Sequence, residues 1–331
     1  MDALFKNRGY GAQQRHIIDE GSKVGEARRA AQTLAGFDFD EQTAGRVAIV
    51  VTELANNLIR HAGGGELLIQ LLGVEDAPLL EILSIDRGPG MTDISRCMTD
   101  GYSTGGTAGT GMGAIKRLAS EFDICSAPGE GTIVMTRFGK PPALRYGAIN
   151  IAMPGEIDCG DAWRIVDEPD GTAVMMIDGL GHGTFAAAAA QAGLEAFMAA
   201  PLSQPQDILT RASAAMSKTR GGAGACARIA RDGRMSYSGI GNIAGVVFTP
   251  EKTQGLASHN GTLGLPLRRV QQLEYTRPAG SLLIMHSDGL SARWSFKGRR
   301  DLLDLHPAIV AALLYRDYGR NTDDSTVVVL A

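Results

Sequence analysis

Two adjacent prolines divide this chain. At Gly139 to Arg145 the sequence reads GKPPALR, and Pro141 and Pro142 remove two backbone donors and fix two φ angles, so neither a helix nor an inner strand runs through them. The hydrophobic pattern changes character across the break. Before it, long stretches of helical period come first and strands follow; after it, short apolar runs recur one after another. At 331 residues the chain also exceeds the size at which a single core usually stops growing. Two domains follow, over 1–139 and 146–331, with 140–145 as the linker.

In the first domain, apolar residues recur at three and four from Ser22 to Ala35 and again from Gln42 to Ala62, as in Val47, Val50, Val51, Leu54, Leu58 and Ile59. That spacing predicts two amphipathic helices. Between Glu66 and Asp86, LLIQLLGV and LLEILSID read as strands. A Gly/Thr-rich loop and a helix from about Met112 come next, then FDICS and GTIVMTRF, joined by turn residues at Pro128 to Gly131. The second domain supplies TAVMMID, ACARIA, RMSYSGI, AGVVF, SLLIMHS and STVVVL, with helical segments near 184–199, 206–219 and 307–318. This is a strand-dominated, layered α+β pattern, without an internal repeat between the halves.

Composition narrows the function classes. A net charge of -4 leaves no surplus of Lys and Arg to neutralise a phosphate backbone, which argues against nucleic acid as a partner. The four cysteines are far apart and form no CxxC pair, so neither a zinc site nor a disulfide framework is expected, and a reducing cytoplasm fits. The opening MDALFKNRGY has no apolar signal core, and the greasiest run, Phe185 to Leu202, is mostly Ala and carries Gln191 and Glu195, so no membrane span is expected.

Chemistry-bearing residues cluster in order along the first domain. In TELANNLIRHA, Glu53, Asn56 and Asn57 lie three and four apart on a predicted helix and share a face. A carboxylate there can accept a proton from an attacking hydroxyl, and an amide oxygen is a hard ligand for Mg²⁺ beside phosphates; a solvated polar stripe would read the same way. Asp86-Arg-Gly88-Pro-Gly90 ends a strand, pairing an acceptor for an exocyclic amine with glycines that allow close approach, although a plain turn has the same letters. Gly105, Gly106, Gly109, Gly111 and Gly113 then precede a helix, whose first free N–H groups suit polyphosphate. Gly109, Gly111 and Ala114 match GxGxxA, but GYSTGGTA before them is no strand, and no GK[ST] follows, so neither the dinucleotide loop nor the P-loop applies.

The ordered set is the specific signal: ExxNN on a helix, DxGxG after a strand, GxGxG before a helix, then Gly131-Thr132 opening a strand. Over roughly residues 12–138 it resembles the GHKL ATPase family, with TELANNLIRHAGGG and DGYSTGGTAGTGMGAIKRLASEFDICSAPGEGT most similar to the RsbT-type switch kinases of bacterial stress signalling. The resemblance implies a Bergerat α/β sandwich that binds ATP and Mg²⁺. It implies Glu53 as general base, Asn56 on Mg²⁺ with Asn57 beside it in the nucleotide site, and Asp86 on the adenine amine. Gly88 and Gly90 would lie beneath the base, Gly109, Gly111 and Gly113 in the phosphate lid, and Thr132 along the adenine. The implied substrate is a Ser or Thr on a STAS-domain anti-sigma antagonist or stressosome-type protein, with a downstream regulatory phosphatase as a further partner.

In the second domain, acidic residues recur at strand ends: Asp161 after Gly160, Asp178-Gly179, Asp288-Gly289, and Asp323-Asp324 before the last strand. An Asp before a Gly is often a turn, but four such sites flanking apolar strands gather carboxylates at one end of a sheet, and oxygen-only clusters take Mg²⁺ or Mn²⁺ rather than zinc. Two such ions bridged by one carboxylate can acidify a water for in-line attack on a phosphoryl group. The order resembles the PPM-type phosphatases of the SpoIIE branch over roughly 146–331, with SGIGNI, GTLGLPLRR and SDGLSARW similar to its RsbX-type members. The resemblance implies an αββα sandwich and two Mn²⁺ or Mg²⁺ ions. Asp178 would bridge them, Gly179 would bind through its carbonyl, Asp288 and Asp323 (or Asp324) would hold one ion, and Asp161 would sit in the water-mediated shell of the other. The phosphate-gripping Arg near the start of larger relatives has no counterpart here.

Several other residues bear two readings. His182 stands at a helix start and can protonate a leaving group, or serve the helix alone; His286 shares a strand face with Asp288 and reads as a core histidine. His16 and His61 lack a preceding dimerising helix with an H-box and read as structural. Met175 and Met176 read as core. Together the two resemblances describe a bifunctional switch that phosphorylates and dephosphorylates. The rival is a phosphatase whose first domain senses nucleotide or grips a partner without transferring phosphate.

Overall fold

The computed structural model describes residues 13–74, 77–98, 111–267, 269–296 and 298–331. It divides into two compact units, Met1–Ala143 and Leu144–Ala331, each with its own core.

The first unit is an antiparallel sheet covered by helices. Its elements are β1 (Gln14–Ile18), α1 (Gly21–Asp38), α2 (Glu41–Asn57), β2 (Gly65–Val74), β3 (Ala77–Ile85), α3 (Ile94–Cys97), α4 (Met112–Leu118), β4 (Glu121–Ser126) and β5 (Thr132–Gly139), with strand order β1-β2-β3-β5-β4. Helix α1 buries Ala27, Ala31 and Ala35, one per turn, and α2 buries Val47, Val50, Val51 and Leu54 against Leu67, Ile69, Leu80, Ile82 and Val134 of the sheet. Asp40 starts α2 by accepting the Thr43 N–H at 2.7 Å, a side-chain cap for an otherwise unpaired donor.

The periodicity predicts one α-helix to Ala62. Instead the backbone widens after Asn57 into a π-helical turn, Leu58–Ala62, which ends at Gly63 with φ +73°. The turn keeps Leu58 buried while the chain swings into β2, where a Cβ on Gly65 would fall 2.7 Å from Leu58 Cδ2. Such π turns gather at functional sites, and this one directly follows the Asn pair. Strand β1 also departs from expectation: only Ile18 of QRHII is buried, so its alternation is too weak to read.

A polar row crosses this sheet. The register places Gln70 opposite Glu81, Glu81 opposite Arg137 and Arg137 opposite Glu121. Gln70 Nε2 donates to Glu81 Oε1 at 2.7 Å, Arg137 Nε donates to Glu81 Oε2 at 2.8 Å, and Arg137 Nη1 reaches Glu121 at 3.2 Å. Both Glu81 and Arg137 are fully buried.

The second unit stacks two five-stranded sheets between helices. It runs β6 (Tyr146–Ile151), β7 (Asp161–Glu168), β8 (Gly171–Gly179), α5 (Thr184–Met198), α6 (Pro205–Ala215), β9 (Gly222–Ile229), β10 (Arg234–Ile240), β11 (Ala244–Phe248), β12 (Thr253–Leu256), β13 (Leu273–Thr276), β14 (Leu282–His286), α7 (Pro307–Tyr318) and β15 (Ser325–Leu330). The sheets are β13-β10-β9-β8-β7 and β12-β11-β14-β15-β6. On β8, Ala173, Met175 and Ile177 face α5 and α6, while Val174 and Met176 lean the other way and are equally buried, as the inner strand of a sandwich requires. Both methionines are therefore core. Across the two sheets Tyr146 meets Trp163 edge to face at 6.1 Å. The Ala run of α5 serves close approach, since a Cβ on Gly193 would fall 2.2 Å from Ile177 Cδ1.

Strand direction now brings the acids together. Asp161 opens β7 and Asp178 lies at the end of β8, and the two are direct cross-strand partners. In the second sheet Asp288 follows β14 and Asp323 and Asp324 precede β15, which is antiparallel to β14. Both pairs of loops emerge at one end of the sandwich. The strands with polar ends and interiors, β7 (DAWRIVDE) among them, are the ones the apolar-run reading misses.

Candidate functional sites

The first site lies on the polar side of α2. Leu54, Ala55 and Leu58 point into the core, which leaves Glu53, Asn56, Asn57 and Arg60 on the opposite side, the first three half-buried. Burial pushes the Glu53 carboxyl above its ordinary range, with Arg60 opposing. A carboxyl so raised is a better proton acceptor near neutrality than a solvated one.

Beside it, Asp86 is held by two backbone donors on one oxygen: Oδ1 accepts Gly88 N–H at 2.8 Å and Thr132 N–H at 3.0 Å. The strands close the same clamp, because Asp86 N–H donates to Thr132 O. Thr132 Oγ1 lies 2.8 Å from Ser126 Oγ, and Ser126 Oγ also accepts Met91 N–H. The glycines here are demanded by the clamp itself. A Cβ on Gly131, at φ +74°, would lie 2.2 Å from Asp86 O; on Gly90, at φ +68°, 2.0 Å from Ala127 O; and on Gly88, 2.6 Å from Ala62 Cα. Gly111 and Gly113 stand at the start of α4, which has no side-chain cap at Gly111, whereas Gly105, Gly106 and Gly109 lie outside the described residues. A half-buried, rigidly oriented carboxylate next to a row of hard oxygen and carboxylate groups suits a purine and a Mg²⁺-bound polyphosphate.

The second site is the acidic end of the sandwich. Burial of the half-covered Asp178, together with repulsion from Asp288, Asp323 and Asp324, raises it to about 7, against a hydrogen bond from Asn242 that lowers it. Asp161 is raised well above the carboxylate range by burial and by Asp178, with the Ser287 and Thr326 hydroxyls opposing. Among the described residues its buried Oδ2 has no hydrogen-bond partner. Asn242 Nδ2 also donates to Asp288 Oδ2 at 2.6 Å, so one amide spans acids from the two sheets.

The carboxylates gather at one end, and among the described residues no three His, Cys, Asp or Glu side chains close into a ready-made metal cage. Asp324 Oδ1 accepts Met153 N–H at 2.7 Å and Oδ2 accepts Gly160 N–H at 2.8 Å, so it anchors the loop between β6 and β7. The donor set nevertheless fits hard divalent cations. It is all oxygen, its charges are mutually destabilising, and a buried oxygen of Asp161 lacks a partner. Gly179 is indispensable to the shape, since a Cβ there would fall 2.1 Å from Ala186 O.

The two histidines separate cleanly. His286 Nδ1 lies 2.9 Å from Ser287 O, and Nε2 accepts Trp294 Nε1–H at 3.0 Å; with both nitrogens taken and its pKa lowered by burial, it is a structural residue. His182 is exposed and pairs with Glu156 at 2.7 Å, just before the Thr184 hydroxyl donates to Asp158. The letters alone do not single out Asn242, Ser287 or Ser126. An amide two residues past a strand, in SGIGNI, is the available signal for Asn242.

Comparison with known proteins fits this division. Residues 19–137 match the Histidine kinase-like ATPase domain. The serine/threonine-protein kinase RsbT of Bacillus subtilis (strain 168) is 39% identical over 105 residues, which is 32% of this chain and 77% of that protein. The chain belongs to the RsbT family. Its second unit is a SpoIIE-type phosphatase domain: residues 168–331 match Stage II sporulation protein E (SpoIIE), a stretch that begins after Asp161. A solved structure from work on the bacterial stressosome, a modular system adapted to control secondary messenger signalling, aligns with TM-score 0.54 at 25% identity, covering 57% of this chain and 100% of the other. RsbX in complex with magnesium shares the fold, with TM-score 0.51 at 20% identity over 58% of this chain and 98% of that one. The GHKL-like and PP2C-like folds expected of the RsbT-like and SpoIIE units are thus those found. No helix of the described residues is long and apolar enough to cross a membrane.

Proposed function

We propose that the chain writes and erases one kind of phosphate. Its RsbT-like unit uses ATP to phosphorylate Ser or Thr on a STAS-domain or stressosome-type protein, and its SpoIIE unit hydrolyses phosphoserine or phosphothreonine on the same or a related partner. The observation that carries the reading is the convergence of acids from two sheets at one end of the sandwich, with Asn242 joining Asp178 to Asp288. Carboxylates held that close away from bulk water cost stability unless cations neutralise them.

In the SpoIIE unit, Asp178, Asp288 and Asp323 would hold the cations together with the Gly179 carbonyl, and Asp161 would serve through water. Asp323 is preferred to Asp324, whose oxygens already carry two backbone donors. Bound Mg²⁺ or Mn²⁺ supplies Lewis acidity toward the phosphoryl group and its attacking water. Asn242 keeps two acids oriented, and Asp161 Oδ2 is placed to accept a proton or a water.

In the RsbT-like unit, Glu53 accepts the proton of the attacking hydroxyl, and Asn56 would provide an amide oxygen for Mg²⁺, with Asn57 beside it in the nucleotide site. Asp86, fixed by its clamp, receives the adenine amine, and Thr132 lines the base. The start of α4, at Gly111 and Gly113, would take the phosphates.

Labelled ATP with a purified STAS-domain protein tests the kinase half, with Glu53→Ala as control. Label on the partner that vanishes in the variant is the expected result; no label under any condition overturns the kinase reading and leaves a nucleotide-sensing or partner-gripping unit in its place. For the phosphatase half, phosphate release should require Mn²⁺ or Mg²⁺ and disappear in Asp178→Asn. Release that survives EDTA overturns the metal assignment.

A further inference from the structure

We infer that Arg220 is the residue by which the SpoIIE unit grips the phosphoryl group of its substrate, and that Phe185 holds it ready. The inference rests on the phosphatase reading and adds to it a residue that the sequence pattern leaves blank: no Arg near the start of this unit fills that role, and the guanidinium of Arg145 donates to Leu305 O instead.

The placement follows from strand pairing. Gly179 and Asp178 of β8 stand opposite Gly222 and Ala223 of β9, and beyond them Leu180 N–H donates to Gly221 O at 2.9 Å. Arg220 therefore sits beside the loop that leaves Asp178. A Cβ on Gly181 would lie 3.1 Å from Arg220 Nη1, while one on Gly160 would lie 3.3 Å from Gly181 O and 2.7 Å from Asp324 Oδ2. The Arg220 guanidinium thus lies against Gly181, whose carbonyl neighbours the Gly160 and Asp324 contact. Gly181 has φ +85°, and a side chain there would press on Arg220.

The guanidinium lies over the Phe185 ring, 5.1 Å from its centroid. Phe185 is 69% exposed in the first turn of α5, so the ring and the guanidinium above it both face solvent. Stacking leaves the planar fork of donors free at its edge, which is the geometry that meets a phosphate oxygen pair. Two more exposed apolar residues, Ile157 and Leu180, lie on the loops at this same end, so the rim around the acids is greasy where a protein substrate would rest.

Asp161, Asp178, Asp288, Asp323 and Asp324 converge at this end of the sandwich, and a phosphomonoester dianion approaching them meets their negative field. Bound cations offset part of it. A guanidinium beside the loop supplies attraction that is specific to the phosphoryl end of the substrate.

The test uses the full chain with saturating Mn²⁺ and a phosphoserine peptide, comparing wild type with Arg220→Ala, Arg220→Lys and Phe185→Ala. Arg220→Ala should raise KM and the inhibition constant of inorganic phosphate about 10-fold, which corresponds to about 1.4 kcal/mol, with a smaller change in kcat. Arg220→Lys should restore part of the loss and Phe185→Ala should show part of it. Direct titration of inorganic phosphate into the Mn²⁺-loaded chain should show the same order of affinities without turnover. Unchanged KM and phosphate affinity in Arg220→Ala, with wild type active, overturn the role of Arg220 alone. A wild type that neither hydrolyses the peptide nor binds phosphate overturns this role and the phosphatase reading together.

Discussion

Asp178→Asn should make the cation-free chain more stable while destroying what the acidic end is for. The magnitude comes from the site. Burial and three neighbouring acids move Asp178 from 3.8 to about 7, and at about 1.4 kcal/mol per pH unit the charged form costs the folded state on the order of 4 kcal/mol. The sign is set by the direction of that shift. The folded chain holds the extra proton between about pH 4 and pH 7, so the penalty is absent below that window, grows as pH rises through it and is complete above it. Asn keeps the shape and a partner for Asn242 without the charge, while the burial of its own amide forfeits part of the gain. At pH 8 in EDTA the transition of the SpoIIE unit should rise by roughly 5–10 °C, at about 2–4 °C per kcal/mol for a unit of this size, and the gap should close toward pH 4. Mn²⁺ should then raise the wild-type transition strongly and that of the variant weakly. Scanning calorimetry of the full chain from pH 4 to 8, with EDTA or Mn²⁺, measures all of this. A variant that melts at or below wild type at pH 8 in EDTA, or a gap that ignores pH, would refute the repulsion argument.

Elsewhere, Glu81→Ala removes the carboxylate that holds the buried Arg137 Nε at 2.8 Å and Gln70 at 2.7 Å; urea denaturation should show a loss of about 3–5 kcal/mol, the usual consequence of stripping a partner from a buried charge. Gly131→Ala forces a Cβ to within 2.2 Å of Asp86 O at φ +74° and should open the Asp86–Thr132 clamp. Binding of a fluorescent ATP analogue should fall at least about 10-fold, the loss of one well-made charged hydrogen bond, while Mn²⁺-dependent phosphate release is unchanged.

Much of this architecture was legible because two periods were strong. The three-and-four spacing of Val47, Val50, Leu54 and Leu58 can bury a face only as a helix, and GTIVMTRF has no other home than an inner strand. The π turn after Asn57 was not legible, since it answers to where Leu58 must pack against Gly65, a tertiary demand. Edge strand β1 and the charged β7 carry too little alternation for the period to register. The acids could be seen to end strands, but not which of them meet: that depends on Asp161 and Asp178 lying in one sheet and Asp288 and Asp323 flanking strands of the other. Asp323 and Asp324 were interchangeable as letters, and only the backbone donors on Asp324 part them. Glu53, Asn56 and Asn57 share one side of α2 because the opposite side of the same turns is core.

Strand β15 has a bearing on when each unit can first be complete. It lies between β14 and β6 inside its sheet, and Asp324 at its start ties down Met153 and Gly160, more than 160 positions earlier in the chain. Chains are made from the amino end and their domains fold in that order. Among the described residues, the RsbT-like unit has all its strands by Gly139, so a half-made chain still on the ribosome already holds everything its nucleotide clamp needs. The acidic end, in contrast, lacks Asp323 and the insertion of its inner strand until almost the whole unit has been synthesised. On the proposed function, each new molecule would write before it could erase, and a truncation that removes β15 would leave it able only to write.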